Sequence, residues 1–476
     1  MKERSTGVTA AREQGRYDVI IVGAGPAGIF SALELAGATD GRLEMIIIEK
    51  GADLEGRVCP SNEGKSACRR CEPCSIVSGW GGAGAFSDGK LTLSTQVGGM
   101  LDVYISDQKL KELIDYVDGI YLGFGAPTKV YGGDEEALRE LERKALLAEL
   151  KLIPAKIRHL GTGKTKDVLD GMKNHLARYA EIALRENATK ILVNDGKAIG
   201  VETSKGRTIL GDYLIVAPGR EGAEWLSQEA RRLGLSMAIN PVDIGARVEL
   251  PAVVAEPLTD VAYESKLIYH SRSFDDKVRT FCMCPYGEVV TESSDGLITV
   301  NGHTHFERKT DNTNFALLVS KTFTEPFKDP IAYGKYVAGL ANLLGNGVIV
   351  QRLGDLIAGH RSTRERLAKG TVVPTLEDAT PGDLSLVFPY RHLVSIIEML
   401  KALDVVAPGV YGRNTLLYGV EVKFYSSRLA VTSALETQVH NMFAIGDGAG
   451  ITRGLMQASA SGVVAAREIL SRLGRR

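Results

Sequence analysis

The chain is short of cysteine and tryptophan, with six and two in 476 residues, and neither sign of charge dominates it. Fifty-seven basic side chains against fifty-eight acidic ones leave a net charge of −1. Such a balance creates no field that gathers nucleic acid or an anionic bilayer, so a nucleic-acid-modifying enzyme is disfavoured. No apolar run approaches the ~18–20 residues that span a bilayer. Residues 1–16 are polar and lack the apolar core of a secretion signal, so a frayed tail on a cytoplasmic protein is expected. Structural disulfides are rare in that compartment. Internal repeats and low-complexity tracts are missing as well. What remains, 44% apolar and 24% charged residues, is an ordinary globular composition, long enough for two or three units and a large core.

Against that plain background, residues 18–28 stand out: DVIIVGAGPAG. The run Val19–Val22 predicts a short buried parallel strand, and the helix after it is expected to begin near Pro26. Gly23 permits a sharp turn, Gly25 lets backbone approach a pyrophosphate, and Gly28 allows tight packing of helix on sheet, with Ala27 the small residue before it. The free N–H groups at the helix start and its dipole favour phosphate. A second apolar run, Met45–Ile48, ends on Glu49 and Lys50. Glu49 is spaced to accept a hydrogen bond from a ribose hydroxyl. Together these features predict dinucleotide binding.

Two later segments choose FAD over NAD. Residues 212–219, DYLIVAPG, form an apolar strand that ends in the small turn Ala217–Gly219. Residues 442–450, MFAIGDGAG, form another that ends in a glycine-flanked acid. This pattern resembles the glutathione-reductase-type FAD superfamily. The resemblance implies that the first turn passes near the cofactor and that Asp447, after Gly446, bonds its ribityl–phosphate region. It also makes Arg57 a nucleotide-contacting arginine, by its distance from Glu49. A helix from about Arg453 to Leu473, rich in Ala, Ser and Gly, follows; if its start at Gly454 and Leu455 faces the flavin pyrimidine, its dipole stabilises negative charge there. No second complete fingerprint occurs: Gly123–Gly125 and Gly161–Gly163 lack the third glycine and the preceding strand. A built-in NAD(P)H domain is therefore not expected.

The expected fold is α/β: a Rossmann-like, glutathione-reductase-type FAD-binding domain with an inserted α+β cap. The FAD domain is read as 17–235, with a Cys-rich loop at 58–90, plus 430–476; the cap is read as 236–429. Helices are predicted at 107–118, 134–149, 167–185, 331–344 and 384–403, the last interrupted by Pro389. A β-meander is predicted over 190–217, and β-like text runs from about 240 to 320.

Four of the six cysteines fall within sixteen residues: Cys59, Cys68, Cys71 and Cys74. The Cys-x2-Cys-x2-Cys run can turn three thiolates toward one centre, with Cys59 as a fourth ligand of a [4Fe-4S] cluster. Zinc, which more usually takes two separated pairs, and metal-free thiols stay open as alternatives. Cys282 and Cys284 alternate along a predicted strand and so are expected to face opposite sides, unable to pair.

Longer motifs carry a second resemblance. GWGGAGAFSDGKL (79–91), RHLGTGK (158–164), TFCMCPYGEVV (280–290), NGHTHFERKTDNTNFALLV (301–319), TLLYGVEVKFY (415–425) and AIGDGAGITRGLMQASASG (444–462) together resemble a family of FAD-dependent dehydrogenases over nearly the whole length. The family implies noncovalently bound FAD, and the superfamily places the loop that holds Gly82 and Ala83 beside the flavin. The implied activity is an FAD-dependent oxidoreductase that passes a hydride or electrons to or from a small-molecule substrate. Ferredoxin or NAD(P)H is the implied electron partner. The alternative is an FAD-binding redox sensor or assembly protein that reports thiol or metal state. Lys90, the Glu421/Lys423 pair and the His303/His305 pair are candidate site residues: Lys90 to meet flavin or substrate, Glu421/Lys423 as an acid/base pair or a surface ion pair.

Overall fold

The strands Gly15–Val22, Met45–Glu49, Ala180–Leu184, Thr208–Val216 and Met442–Ala444 lie side by side, all parallel. Apart from the edge strand Ala180–Leu184, which is only partly covered, their apolar residues are largely buried on both faces, as a parallel sheet covered by helices requires. The computed structural model describes residues 15–59, 71–87, 89–238, 240–294, 296–304, 309–323, 329–424 and 427–474; most of the expected tail therefore lies outside it. Thr208–Val216 shares one side between two neighbours. Its first residues pair antiparallel with Lys197–Thr203, its last ones parallel with Met442–Ala444. The helices Pro26–Thr39 and Leu455–Arg472 cover one face and pack on each other. A Cβ on Gly462 would sit 2.2 Å from the Ala27 carbonyl oxygen, so the small residues of the later helix serve this close approach.

The second unit is built on an eight-stranded sheet that runs from Thr380–Pro381 through Val242–Pro251, Asn312–Lys321 and Lys277–Cys284 to Lys266–His270 and Lys151–Ile153. Its own core includes Val248, Leu250, Phe315, Leu317 and Met399. Lys151–Ile153 and the helix Glu135–Leu147, which precede residue 236, belong to this unit: the strand pairs with Lys266–His270, and Leu141 and Ala145 join its core. A three-residue strand carries no periodicity to announce it. The connections at the other boundary lie together, because Met237–Ala238 pairs antiparallel with Arg428–Leu429.

Local differences have simple causes. The helix read over 167–185 spans Thr162–Leu176, and Ala180–Leu184 turns into the edge strand of the parallel sheet. Pro389 caps the helix Tyr390–Val406 rather than interrupting it, since a residue without an N–H fits the first turn. Among the described residues no helix is long and apolar enough to cross a membrane.

Candidate functional site

Parallel register brings four strand ends to one edge. Val22 stands opposite Ile48 and Val216, and Val216 opposite Ala444, so Gly23, Glu49, Ala217 and Ile445 follow at the same level, with Gly446 one residue further on. Ligands bind outside the carboxyl ends of such strands. Gly23 has φ +103°, and a Cβ there would lie 2.1 Å from the Ala217 carbonyl oxygen; Gly28 would meet the Gly23 carbonyl oxygen at 2.0 Å. Both glycines are dictated by neighbouring backbone. Gly25 is not. Its φ is −80°, and a Cβ there meets only Gly82 Cα, at 4.0 Å. It opens the helix Pro26–Thr39, which has no side-chain cap and no acid in its first turn. Unspent N–H groups in front of free space are what a pyrophosphate requires.

Glu49 is buried and gathers three loops. It accepts from the N–H groups of Ala24 (2.8 Å), Gly51 (2.9 Å) and Gly79 (2.9 Å). An ionised carboxylate has about four acceptor positions, so one is left for a ribose hydroxyl. Beside it the buried Ser78 hydroxyl has no partner among the described residues, an orphan that a nucleotide can satisfy. Gly82, at φ +59°, faces Gly25 across the cradle, and Gly84 lies against Leu455. Asp447 opens a short helical turn after Gly446, accepts from the Thr452 hydroxyl (2.6 Å), and lies where Gly448 backs onto Gly219. The helix that Gly454 and Leu455 begin is likewise uncapped by any side chain. These residues fit FAD.

Arg57 and Lys50 are engaged elsewhere. The Arg57 guanidinium donates to the carbonyls of Ser75 (2.8 Å), Ile76 (2.6 Å) and Trp80 (2.7 Å) and stacks on Phe86. Burial lowers its pKa to about 10. It holds the Cys-rich loop in shape. Lys50 reaches Glu221. Of the clustered cysteines, Cys59, Cys71 and Cys74 are described and Cys68 lies outside the described residues; among the described residues no group of side chains can hold a metal ion. Among the described residues, then, a donor set for a cluster is not assembled.

A second constellation lies where the two units meet. Lys90, six residues after Gly84, donates to the Met283 carbonyl (3.2 Å) and stands 3.8 Å from Glu264. Glu264 also meets Lys266. Burial would raise its pKa, but Lys266, Lys90 and the Cys282 N–H outweigh that and hold it at about 2. Arg247, fully buried, forms a bidentate pair with Glu421 (2.8 and 3.0 Å) and donates to the Asn314 side chain (2.7 Å) and the Cys282 carbonyl (3.1 Å). Lys423 sits 3.3 Å from Glu421 and 3.4 Å from Glu292. Burial opposes its charge, yet those two carboxylates raise its pKa. Glu421 and Lys423 are thus part of a buried network rather than a surface pair. Glu292 in turn feels Arg220, the residue after Gly219. The network runs from one wall of the cradle to the other.

Cys282 and Cys284 do not face opposite sides. The pairing with Asn312–Lys321 slips between Phe281 and Cys284, and Cys282 takes φ +44°. This bulge cancels the alternation and brings the sulfurs to 4.0 Å. Arg247 and Glu264 escaped sequence reasoning; Arg247, a lone cation inside the apolar run Ile244–Leu250, is a usable signal, whereas Glu264 offers none. His303 is described and His305 is not.

Residues 254–424 match the family model described as FAD-dependent protein, C-terminal domain-like. The chain holds that domain-like stretch within its second unit. It is 27% identical over 499 residues to an "Uncharacterized protein" of Clostridium beijerinckii, with 98% of this chain and 83% of that protein covered. Looser likenesses extend to solved structures. They include L-proline dehydrogenase from P. horikoshii (13% identity, TM-score 0.40, 98% of this chain and 95% of that one) and a formate oxidase (12%, 0.47, 97% and 99%). Glycine oxidase from Geobacillus kaustophilus is a third (12%, 0.39, 96% and 95%). The fold assignment rests on the sheets and the cradle.

Proposed function

We propose that this protein is an FAD-dependent oxidoreductase whose small-molecule substrate binds between the glycine cradle and the buried network of Lys90, Glu264, Arg247 and Cys282. The observation that carries this reading is Gly25: neither packing nor conformation calls for glycine there, whereas a bound pyrophosphate does. Bound FAD would supply the hydride or electron chemistry. The chain's own residues would hold its phosphates on the helix Pro26–Thr39, its ribose on Glu49 and its middle at Asp447. Lys90 and Lys266 are met by Glu264, and Arg247 and Lys423 by Glu421 and Glu292. The network therefore offers a substrate paired acids and bases rather than one sign of charge.

The test is flavin content followed by anaerobic reduction. The purified chain should carry FAD, and NADH, NADPH and reduced ferredoxin should be offered in turn while the flavin band is followed. Protein that neither copurifies with FAD nor binds it when it is added sinks the proposal. A [4Fe-4S] cluster on Cys59, Cys68, Cys71 and Cys74 is the finer alternative and gains no support from the described residues; iron and sulfide analysis after anaerobic purification decides it. The sensor reading predicts instead that FAD is present but that none of these donors reduces it.

A further inference from the structure

We propose that Cys282 and Cys284 form a redox-active pair that exchanges with small-molecule disulfides, Cys282 as the attacking sulfur and Cys284 as the resolving one. Four observations carry it, and none depends on bound FAD. The bulge at Cys282 puts both sulfurs on one side, 4.0 Å apart. Closing to the ~2.05 Å of a disulfide takes about 2 Å of side-chain movement. The two residues differ in burial, since Cys282 keeps part of its surface exposed while Cys284 is buried. The surrounding backbone is pinned: Arg247 donates to the Cys282 carbonyl (3.1 Å) and Lys90 to the Met283 carbonyl (3.2 Å).

Charge then separates the two roles. The Cys284 thiol donates to the Cys282 carbonyl (3.4 Å) and lies against the Cys282 sulfur, and this contact, with Lys90 and Arg247 nearby, outweighs burial and Glu264 to lower the Cys282 pKa to about 6. Lys423 faces the same sulfur. The Cys284 thiol is pushed up by the Cys282 thiolate beside it and by burial. A thiolate beside a thiol is the arrangement that exchange needs.

The step balances as follows. The Cys282 thiolate attacks one sulfur of a disulfide RS–SR, forming Cys282–S–SR and releasing RS⁻. Cys284 then gives up its proton, to RS⁻ or water, and attacks the Cys282 sulfur. The internal disulfide forms and the second RS⁻ leaves. Two protein thiols are oxidised and one external disulfide is reduced to two thiols.

The experiment treats the full-length protein with glutathione disulfide, followed by alkylation, trypsin and mass spectrometry. Cleavage after Arg279 and Arg308 isolates a peptide, 280–308, whose only cysteines are these two. The expected result is loss of two hydrogens from that peptide without a glutathione adduct. Cys284→Ser should trap glutathione on Cys282, and Cys282→Ser should leave Cys284 unmodified. Iodoacetamide labelling of Cys282 should rise with pH about two and a half units earlier than an ordinary thiol with pKa near 8.5. The proposal is overturned if wild-type protein keeps both thiols under glutathione disulfide, or if both single variants take up glutathione equally. The flavin band of the same samples reports cofactor loading separately, so failure of the flavin reading and failure of this one are told apart.

Discussion

Replacing Gly25 with valine should separate the two demands a glycine can answer. A Cβ at this position meets nothing closer than Gly82 Cα at 4.0 Å, and φ −80° with ψ −178° is ordinary extended backbone for any residue. Stability of the cofactor-free protein should therefore hold within about 1 kcal/mol, and the stiffer unfolded chain offers a gain of roughly 0.4–1 kcal/mol. The cofactor should feel it strongly. Side-chain bulk in front of the helix start forces the pyrophosphate back from at least one or two backbone donors. Hydrogen bonds to charged groups contribute about 1.5–3 kcal/mol each, so about 3 kcal/mol or more is lost, roughly a hundredfold in affinity. Gly23→Ala is the contrasting control. Its Cβ would lie 2.1 Å from the Ala217 carbonyl oxygen at φ +103°, so it should unfold or lower the melting temperature sharply, whatever the cofactor state. The assays are urea unfolding of the apoproteins and FAD titration by fluorescence quenching. A Gly25→Val protein that folds normally and binds FAD as tightly as wild type refutes the assignment of this space to phosphate. One that unfolds without FAD refutes the packing analysis.

Three more outcomes are expected. Arg57→Met leaves the carbonyls of Ser75, Ile76 and Trp80 without their donor; chemical denaturation should show a loss of about 3 kcal/mol. Arg247→Met strands Glu421 in the interior and should cost about 3–5 kcal/mol, whereas the double variant Arg247→Met/Glu421→Leu should recover most of it in the same assay. His392 is buried, both ring nitrogens lack partners among the described residues, and burial, with Lys321 next, lowers its pKa to about 4 from an ordinary 6.5. The stability carried by the neutral ring is present above pH 6.5 and lost as pH falls toward 4, at about 1.4 kcal/mol per unit and about 3 kcal/mol in all. Wild type compared with His392→Leu by urea unfolding across that range should show this slope only in wild type.

The first strand–turn–helix was legible because most of its special residues answer a local demand. Gly23 and Gly28 relieve backbone contacts within one strand–turn–helix, and Glu49 ends the neighbouring strand. The parts that stayed hidden depend on distant partners. Arg57 has the spacing of a nucleotide ligand, yet the carbonyls it serves lie about twenty residues on, in a loop whose path no pattern encodes. Alternation put Cys282 and Cys284 on opposite faces. A register slip against Asn312–Lys321 reversed that, and a slip belongs to the pair of strands, not to either one. Glu421 and Lys423 read equally well as surface or core until Arg247, from a strand more than 170 residues earlier, closed over them.

The excursion of residues 135–153 into the second unit's sheet bears on how far the two units can swing apart. The chain crosses between the units not only at the paired segments Met237–Ala238 and Arg428–Leu429 but also on either side of Lys151–Ile153. Two neighbouring crossings alone would make a hinge, and the units could swing open about it. The further crossings add another attachment between the parallel sheet and the sheet that carries Cys282 and Cys284, and an added attachment restrains that swing. The spacing between the glycine cradle and the two thiols is then held by the path of the chain itself.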